Sequence, residues 1–282
     1  MALAISNEEF TLLRDYIEEQ CGISLTSGKE YLIESRLTTM VVESGSKSFL
    51  EFYRKIKTTP DQRLRDKLVD AMTTNETLWF RDKSPFAVFQ DVLLPQFDAE
   101  IASGKRMRVR IWCAASSTGQ EPYSLGMCVH EFSRLRPGAA LRPANVEIVG
   151  TDISPSVLFL AMAGRYDQIS MGRGLEDAMR DRYFKQNGRV WVLDESVKKM
   201  VTYKRLNLQS DFAALGTFDI IMCRNVAIYF SETFKKNLFA RLARALNTGG
   251  HLFLGSAESL SGYSTDFEIR DHQRSIYYQV KR

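Results

Sequence analysis

The spacing of apolar residues changes partway along the chain. Through residues 1–75 it is helical. Phe10, Leu13, Tyr16 and Ile17 fall on one face, Ser6 and Glu9 have capping-box spacing, and Gly22 supplies a stop. A second helix is predicted from about Gly28 to Glu43, carrying Tyr31, Leu32, Ile33 and Leu37 and ending before Gly45. Ser48 and Glu51 cap a third with Phe49, Phe52, Tyr53 and Ile56 as its stripe, and Asp61 opens a fourth after Pro60. Helices on short Gly/Ser/Pro connections predict a compact bundle with the aromatic stripes in its core.

From about residue 84, β-branched runs alternate with helical patterns. Strands are predicted at 108–113, 146–150, 200–206, 218–223, 251–254, 267–270 and 276–280. Helices are predicted at about 120–134, 155–163 and 232–246, with Gly249-Gly250 closing the last. The chain ends in a hairpin rather than another βα unit, the order of a seven-stranded, Rossmann-like methyltransferase sheet. Residues 166–200 break the rhythm: Asn187-Gly188 between Tyr183-Phe184 and Val190-Trp191-Val192 signals a hairpin, hence a small inserted β-subdomain. The predicted organisation is an all-α domain over 1–75 and an α/β domain over 76–282 that contains this insertion.

The first strand-to-helix corner, Trp112 to Ser124, is the most informative segment. Strand, small-residue loop and helix in that order make the ligand corner of a doubly wound sheet. Gly119 is the only glycine in it, so neither G-x-G-x-x-G nor a P-loop is present. A crevice without a phosphate cradle, with Glu121 at its mouth, suits a nucleoside bearing a charged amino-acid tail, such as S-adenosylmethionine. An ordinary βα turn around a tight glycine fits the same segment.

Composition narrows the class. At 282 residues, 44% hydrophobic and 26% charged, the chain is that of a soluble globular protein of one large or two moderate domains. No apolar run approaches the ~20 residues of a membrane span, and no basic-then-apolar signal opens the chain. Cys21, Cys113, Cys128 and Cys223 show no C-x-x-C pairing, which fits a reducing cytoplasm, and His130, His251 and His272 are too scattered for a zinc site, so no metal is expected. Of 38 basic and 34 acidic residues, 10 and 12 fall within 1–75, leaving 28 and 22 for the rest. That mild basic excess lacks the aromatic-interleaved stripe of a nucleic-acid binder.

Three further segments end at predicted strand ends or between the domains. Gly150-Thr151-Asp152 places a carboxylate where a doubly wound fold binds ribose hydroxyls, while Asp152 with Ser154 and Pro155 also reads as a helix cap. Phe218 to Asn225 ends the fourth strand on Asn225, with Tyr229 about a helical turn later, and Cys223 reads as core. Thr73 to Asp82 either reaches into an interdomain cleft with Arg81 or is a helix end capped by Asn75.

Thr73-Thr74-Asn75, Thr77, Phe80-Arg81, Ala115 to Ser124, Asp152, Asn207-Leu208, Cys223-Arg224-Asn225-Val226 with Ile228-Tyr229-Phe230, and Gly255-Ser256-Ala257-Glu258 together resemble the CheR family. These are bacterial chemoreceptor glutamate O-methyltransferases, and the resemblance follows the family's order over nearly the whole chain. It implies S-adenosylmethionine as cofactor and S-adenosylhomocysteine as product. The implied cofactor contacts are Asn75, Thr77, Arg81, Glu121, Asp152, Asn207, Leu208, Asn225 and Val226, with Arg81 and Tyr229 at the reaction centre. It also implies a cytoplasmic enzyme, recruited transiently to receptor arrays, that acts on the methylation helices of membrane chemoreceptors. A monomer without membrane insertion is expected.

The chain departs from the family in three places. Gln120-Glu121 replaces an acidic pair, keeping the second acid; the second helix offers mainly Lys29 and Arg36 as basic residues; and the hairpin at Gln186–Arg189 lacks the extra glycines of members that grip a receptor C-terminal peptide. Independence of a pentapeptide tether is therefore expected. The rival reading is a non-catalytic S-adenosylmethionine sensor, which has no need of Arg81 or Tyr229.

Overall fold

The computed structural model describes residues 3–281. Four helices, α1 (Asn7–Cys21), α2 (Glu30–Glu43), α3 (Phe49–Thr58) and α4 (Gln62–Met72), form the N-terminal bundle. Its core includes Leu13, Ile17, Ile33, Leu37, Phe49, Phe52 and Ile56 from the predicted stripes, but Tyr31 is 60% exposed, because two positions before Ile33 is about the opposite side of the helix. The Ser6 hydroxyl accepts the Glu9 N–H, while the Glu9 carboxylate accepts the N–H groups of Ser6 (2.9 Å) and Leu50 (2.8 Å). The cap of α1 thus also pins α3. Helix α2 begins at Glu30, not Gly28, whose left-handed φ of 88° lies outside it. Arg36 is spent on the carbonyls of Met72 and Thr73 and the Thr74 hydroxyl, holding the exit of α4.

The pattern alone assigns no element to 84–102, but a helical rod fills it. Helices α5 (Ser84–Val88) and α6 (Leu94–Ala102) are joined without a break by a π-helical turn, Phe89–Leu93. Pro85 and Pro95 look like breakers, yet Pro85 sits in the first turn of the rod, where no N–H partner is lost, and Pro95 directly follows the π-helical turn, where the regular hydrogen-bond ladder is already interrupted.

Ten strands follow: β1 (Val109–Ala114), β2 (Val146–Asp152), β3 (Arg165–Asp167), β4 (Phe184–Asn187), β5 (Val190–Leu193), β6 (Val201–Arg205), β7 (Phe218–Cys223), β8 (Leu246–Phe253), β9 (Phe267–His272) and β10 (Ser275–Val280). Seven make one sheet in the order β6-β2-β1-β7-β8-β10-β9, and β3-β5-β4 make a small second sheet. The first five are parallel; β10 runs antiparallel to both β8 and β9. Alternation along β1 divides the core. Ile111 and Cys113 face α5, α6 and α7 (Gln120–Leu135), while Trp112 and Ala114 face the side of helix Glu232–Ala245. Helix α8 (Pro155–Ala163) follows β2.

Two local expectations fail. Gly249-Gly250 do not close the last helix, which stops at Ala245; they lie within β8. Phe218 pairs with Leu246 and Ile220 with His251, so Asn247–Gly250 bulge opposite Asp219. The Asp219 carboxylate holds the bulge through Asn247 Nδ2 (2.8 Å) and also accepts the Arg110 N–H (2.8 Å). A tight glycine pair signals a turn, and a bulge in a strand uses the same φ > 0 freedom. The inserted hairpin turns on Gly188-Arg189, since Asn187 pairs with Val190; Gly188 alone takes φ > 0.

His251 sits buried in β8 with neither ring nitrogen hydrogen-bonded. Burial, then the Arg270 charge, push its pKa down to about 4. The folded state therefore keeps it neutral, whereas the unfolded chain takes up a proton below its usual ~6.5. Stability should fall as pH drops from ~6.5 toward 4, by about 2–3 kcal/mol from this group. His251→Leu should lose correspondingly less stability than the parent between pH 7 and 4.5 in urea titrations; equal losses would exclude this account of His251.

Candidate active site at the switch point of the sheet

Strand order reverses between β1 and β7, and a crevice opens beyond the carboxyl ends of strands at such a point. Here it is an open cleft of about 920 Å³, counted out through its mouth, with the end of the helical bundle on one side. Asn75, Thr77, Arg81, Glu121, Asp152, Asn207, Leu208, Asn225, Val226 and Tyr229 all line it. Every residue singled out from sequence as a contact or reacting group is thus brought to one cavity.

The β1–α7 corner turns without a glycine-rich motif by placing Ala115 (φ 64°), Ser117 (φ 48°) and Gly119 (φ 94°) in left-handed conformations. Only the last must be glycine, because a Cβ there would lie 2.6 Å from the Tyr203 hydroxyl. The Ser117 N–H donates to Asp152 Oδ2 (2.9 Å) and its hydroxyl to the Asn75 carbonyl (2.9 Å). Corner, second strand and interdomain connector are therefore locked together.

Asp152 is buried, and burial raises its pKa against the backbone N–H groups of Ser154 and Ser117, which lower it. Its Oδ1 accepts the Ser154 N–H (3.0 Å), and Ser154, rather than Asp152, caps α8. Each carboxylate oxygen takes one of these bonds and retains another lone pair. Local capping and ligand binding are compatible. Ser116 Oγ, also buried on the cleft wall, has no partner. A polyhydroxylated nucleoside with an amino-acid tail fits such spare acceptors and an unpaired hydroxyl.

At the other end of the cleft lies a charge cluster that sequence reasoning missed. Arg224 is 1% exposed and donates to Glu121 (2.7 Å), Asp82 (2.8 Å) and the Arg81 carbonyl (2.7 Å). Burial raises the Glu121 carboxyl pKa, opposed first by the Arg224 charge. One guanidinium thereby ties the end of β7 to α7 and to the connector. The available signal was an arginine directly after the apolar run Ile220–Cys223, where a charge needs a buried partner. In the connector, Phe80, Asp82 and Lys83 all have φ between 49° and 68°, a strained turn that aims Arg81 at the cleft. Arg81 itself donates to the Glu76 carbonyl (2.8 Å).

Glu258 is the second omission. Its carboxylate accepts the N–H groups of Asn225 (2.7 Å), Val226 (3.0 Å), Ile228 (3.1 Å) and Gly255 (2.7 Å). That set holds Asn225 in its left-handed conformation (φ 58°) and fixes the loop that carries Tyr229. Asn207 bonds through its side chain to the Gln20 carbonyl (2.9 Å) and the Gln209 N–H (3.0 Å). Cys223 is wholly buried in core, as expected. Among the described residues no group of three or more His, Cys, Asp or Glu is arranged to hold a metal, and no helix is long and apolar enough to cross a membrane.

Comparison with known proteins matches this architecture on both parts of the chain. The S-adenosylmethionine-binding domain of CheR methyltransferases matches residues 75–276, and the family's all-alpha domain matches 8–73. Chemotaxis protein methyltransferase 1 of Pseudomonas aeruginosa is 43% identical over 283 residues, covering 99% of this chain and 100% of its own length. Chemotaxis protein methyltransferase 1 of Vibrio cholerae is 44% identical, covering 99% of both chains. Chemotaxis protein methyltransferase Cher2 of Pseudomonas putida is 40% identical, covering 99% of this chain and 100% of its own. With both domains matched end to end and a cleft built at the switch point of its sheet, this chain belongs to the CheR family of S-adenosylmethionine-dependent methyltransferases.

Proposed function

We propose that the chain methylates glutamate side chains of chemoreceptors, forming methyl esters in chemotaxis adaptation or related chemosensory signalling. The observation that carries this is the gathering of Asp152, Glu121, Arg81 and Tyr229, from four separated segments, on one cleft of a CheR-family fold. The free lone pairs of Asp152 are the acceptors for ribose hydroxyls. Asn207 and Leu208 border the apolar end, suited to the base, while Glu121, Asn75 and Thr77 face the amino-acid tail. Asn225 and Val226 border the transfer end. The bound cofactor supplies an electrophilic methyl group on a sulfonium.

The acceptor carboxylate is an anion at neutral pH, so no side chain need remove a proton. What remains is alignment. Arg81 orients a carboxylate, and the Tyr229 hydroxyl donates to the reacting region. The walls exclude water, in which the acceptor's charge would be better solvated. Tyr229→Phe should keep S-adenosylhomocysteine affinity and lower kcat. Equal kcat in variant and parent would remove Tyr229 from the reaction centre.

The partners proposed are the cytoplasmic methylation helices of membrane receptors, met by a monomeric cytoplasmic enzyme transiently recruited to receptor arrays. Recognition is proposed to need no receptor C-terminal pentapeptide, because the β4–β5 turn is only Gly188-Arg189 and has no glycine-rich extension. Receptors with and without their C-terminal tail should compete equally for the protein. Because β4 lies at the edge of its sheet, a peptide strand adding there is the alternative. Micromolar binding of an isolated tail peptide would contradict the proposal.

A further inference from the structure

The helical bundle does more than cover the cleft. Its contribution comes from one short segment, Cys21 to Ser24, where α1 ends. Gly22 takes a left-handed φ of 76°, and a Cβ there would lie 3.1 Å from Phe234, so the chain leaves the helix against the α/β domain with no room to spare. Two side chains from the loop after β6 grip this helix end. Asn207 Nδ2 donates to the Gln20 carbonyl (2.9 Å), and Gln209 Nε2 donates to the Glu18 carbonyl (3.0 Å).

Beyond that grip, Cys21 and Ile23 line the cleft beside Leu206, Leu208 and Phe230. The Cys21 thiol donates to the Ile17 carbonyl (3.1 Å), and burial pushes its pKa up to about 11, so it presents a neutral surface. The charged lining is Arg81, Glu121 and Arg224, joined through Arg224, and the bundle's Cys21 and Ile23 add to the apolar lining. The next residues reach the opposite wall. Ile23 forms an antiparallel bridge with Phe230, and the Ser24 N–H donates to the Tyr229 carbonyl (2.8 Å).

We infer that Cys21 and Ile23 are the base-side wall of the cofactor chamber and that Ser24 is a positioning residue for Tyr229. The bundle is then a structural part of the methyl-transfer centre. A shift of α1 alters the cofactor wall and the reacting loop together, because adjacent residues hold both. This inference rests on the methyltransferase reading above.

The test uses the full chain, with S-adenosylhomocysteine binding by calorimetry and methyl transfer to receptor glutamates as separate readouts. Cys21→Phe adds bulk at the apolar lining and should weaken S-adenosylhomocysteine binding about tenfold or more. Ile23→Ala, which removes wall without blocking it, should weaken binding about fivefold while unfolding cooperatively, and it decides the point if the Phe variant does not fold. Ser24→Pro removes the N–H that reaches Tyr229; kcat should fall about tenfold or more, with binding within about threefold of the parent. Parent-like binding in the folded wall variants would overturn the wall assignment. Parent-like kcat in Ser24→Pro would overturn the positioning role. Failure of the parent itself to bind S-adenosylhomocysteine would instead refute the methyltransferase reading, a result these variants cannot mimic.

Discussion

Arg224→Met is expected to lower stability by about 2–4 kcal/mol, because the buried guanidinium is the ion-pair partner of two carboxylates, Glu121 and Asp82, that are only partly open to the cleft. Glu121 and Asp82 both lose their ion pair, and the Arg81 carbonyl loses its donor. Burial already holds the Glu121 carboxyl above its usual range, with Arg224 first among the groups that oppose it. Without that charge the carboxyl shifts further toward the protonated form, which cannot attract a cationic amino group. Cofactor binding should therefore fall with stability. Urea titration and calorimetry measure the two effects, and adding Glu121→Gln should restore part of the stability but not the binding. A single variant within about 1 kcal/mol of the parent would show that the cluster relaxes or hydrates instead.

The second large effect is on cofactor affinity. Asp152→Ala should weaken S-adenosylmethionine and S-adenosylhomocysteine by about 1–3 kcal/mol, the scale of charge-assisted hydrogen bonds lost from buried partners. Because Asp152 also accepts the N–H groups of Ser117 and Ser154, some stability is lost as well. Asp152→Asn is the milder variant, since its single acceptor oxygen keeps one of the two backbone bonds and its amide cannot accept from both ribose hydroxyls. Unchanged affinity in folded Asp152→Asn and Asp152→Ala would end the ribose assignment.

What was legible in the sequence was local. The caps of α1 and α3, the apolar run of β1, and a carboxylate at the end of β2 each declare themselves within a few residues. What was not legible depends on partners far apart in the chain. Glu258 meets the N–H of Asn225 across 33 positions, and Asn207 meets Gln20 across 187; both lie in motifs of the resemblance, but nothing local in either motif names these partners. Arg224 lay inside a recognised motif, yet its role needs Glu121 and Asp82, more than 100 positions away, to be seen beside it. The same limit explains the bulge at Asn247–Gly250, where glycines read as a helix stop until β7 supplies the register. Motif resemblance bridged part of this distance by naming residues as a set, and the cleft brings that set together without any of its members being neighbours in sequence.

The central claim is methyl transfer to glutamate, and one measurement addresses it directly. The protein is incubated with methyl-labelled S-adenosylmethionine and membranes bearing chemoreceptors, and the receptor band is treated with base. The account predicts label on the receptor, released as volatile methanol by alkali, mapped to glutamate side chains and lowered in Tyr229→Phe. Tight cofactor binding with no label on any receptor would make the protein a sensor, and base-stable label on nitrogen would make it a different transferase; either result contradicts the account.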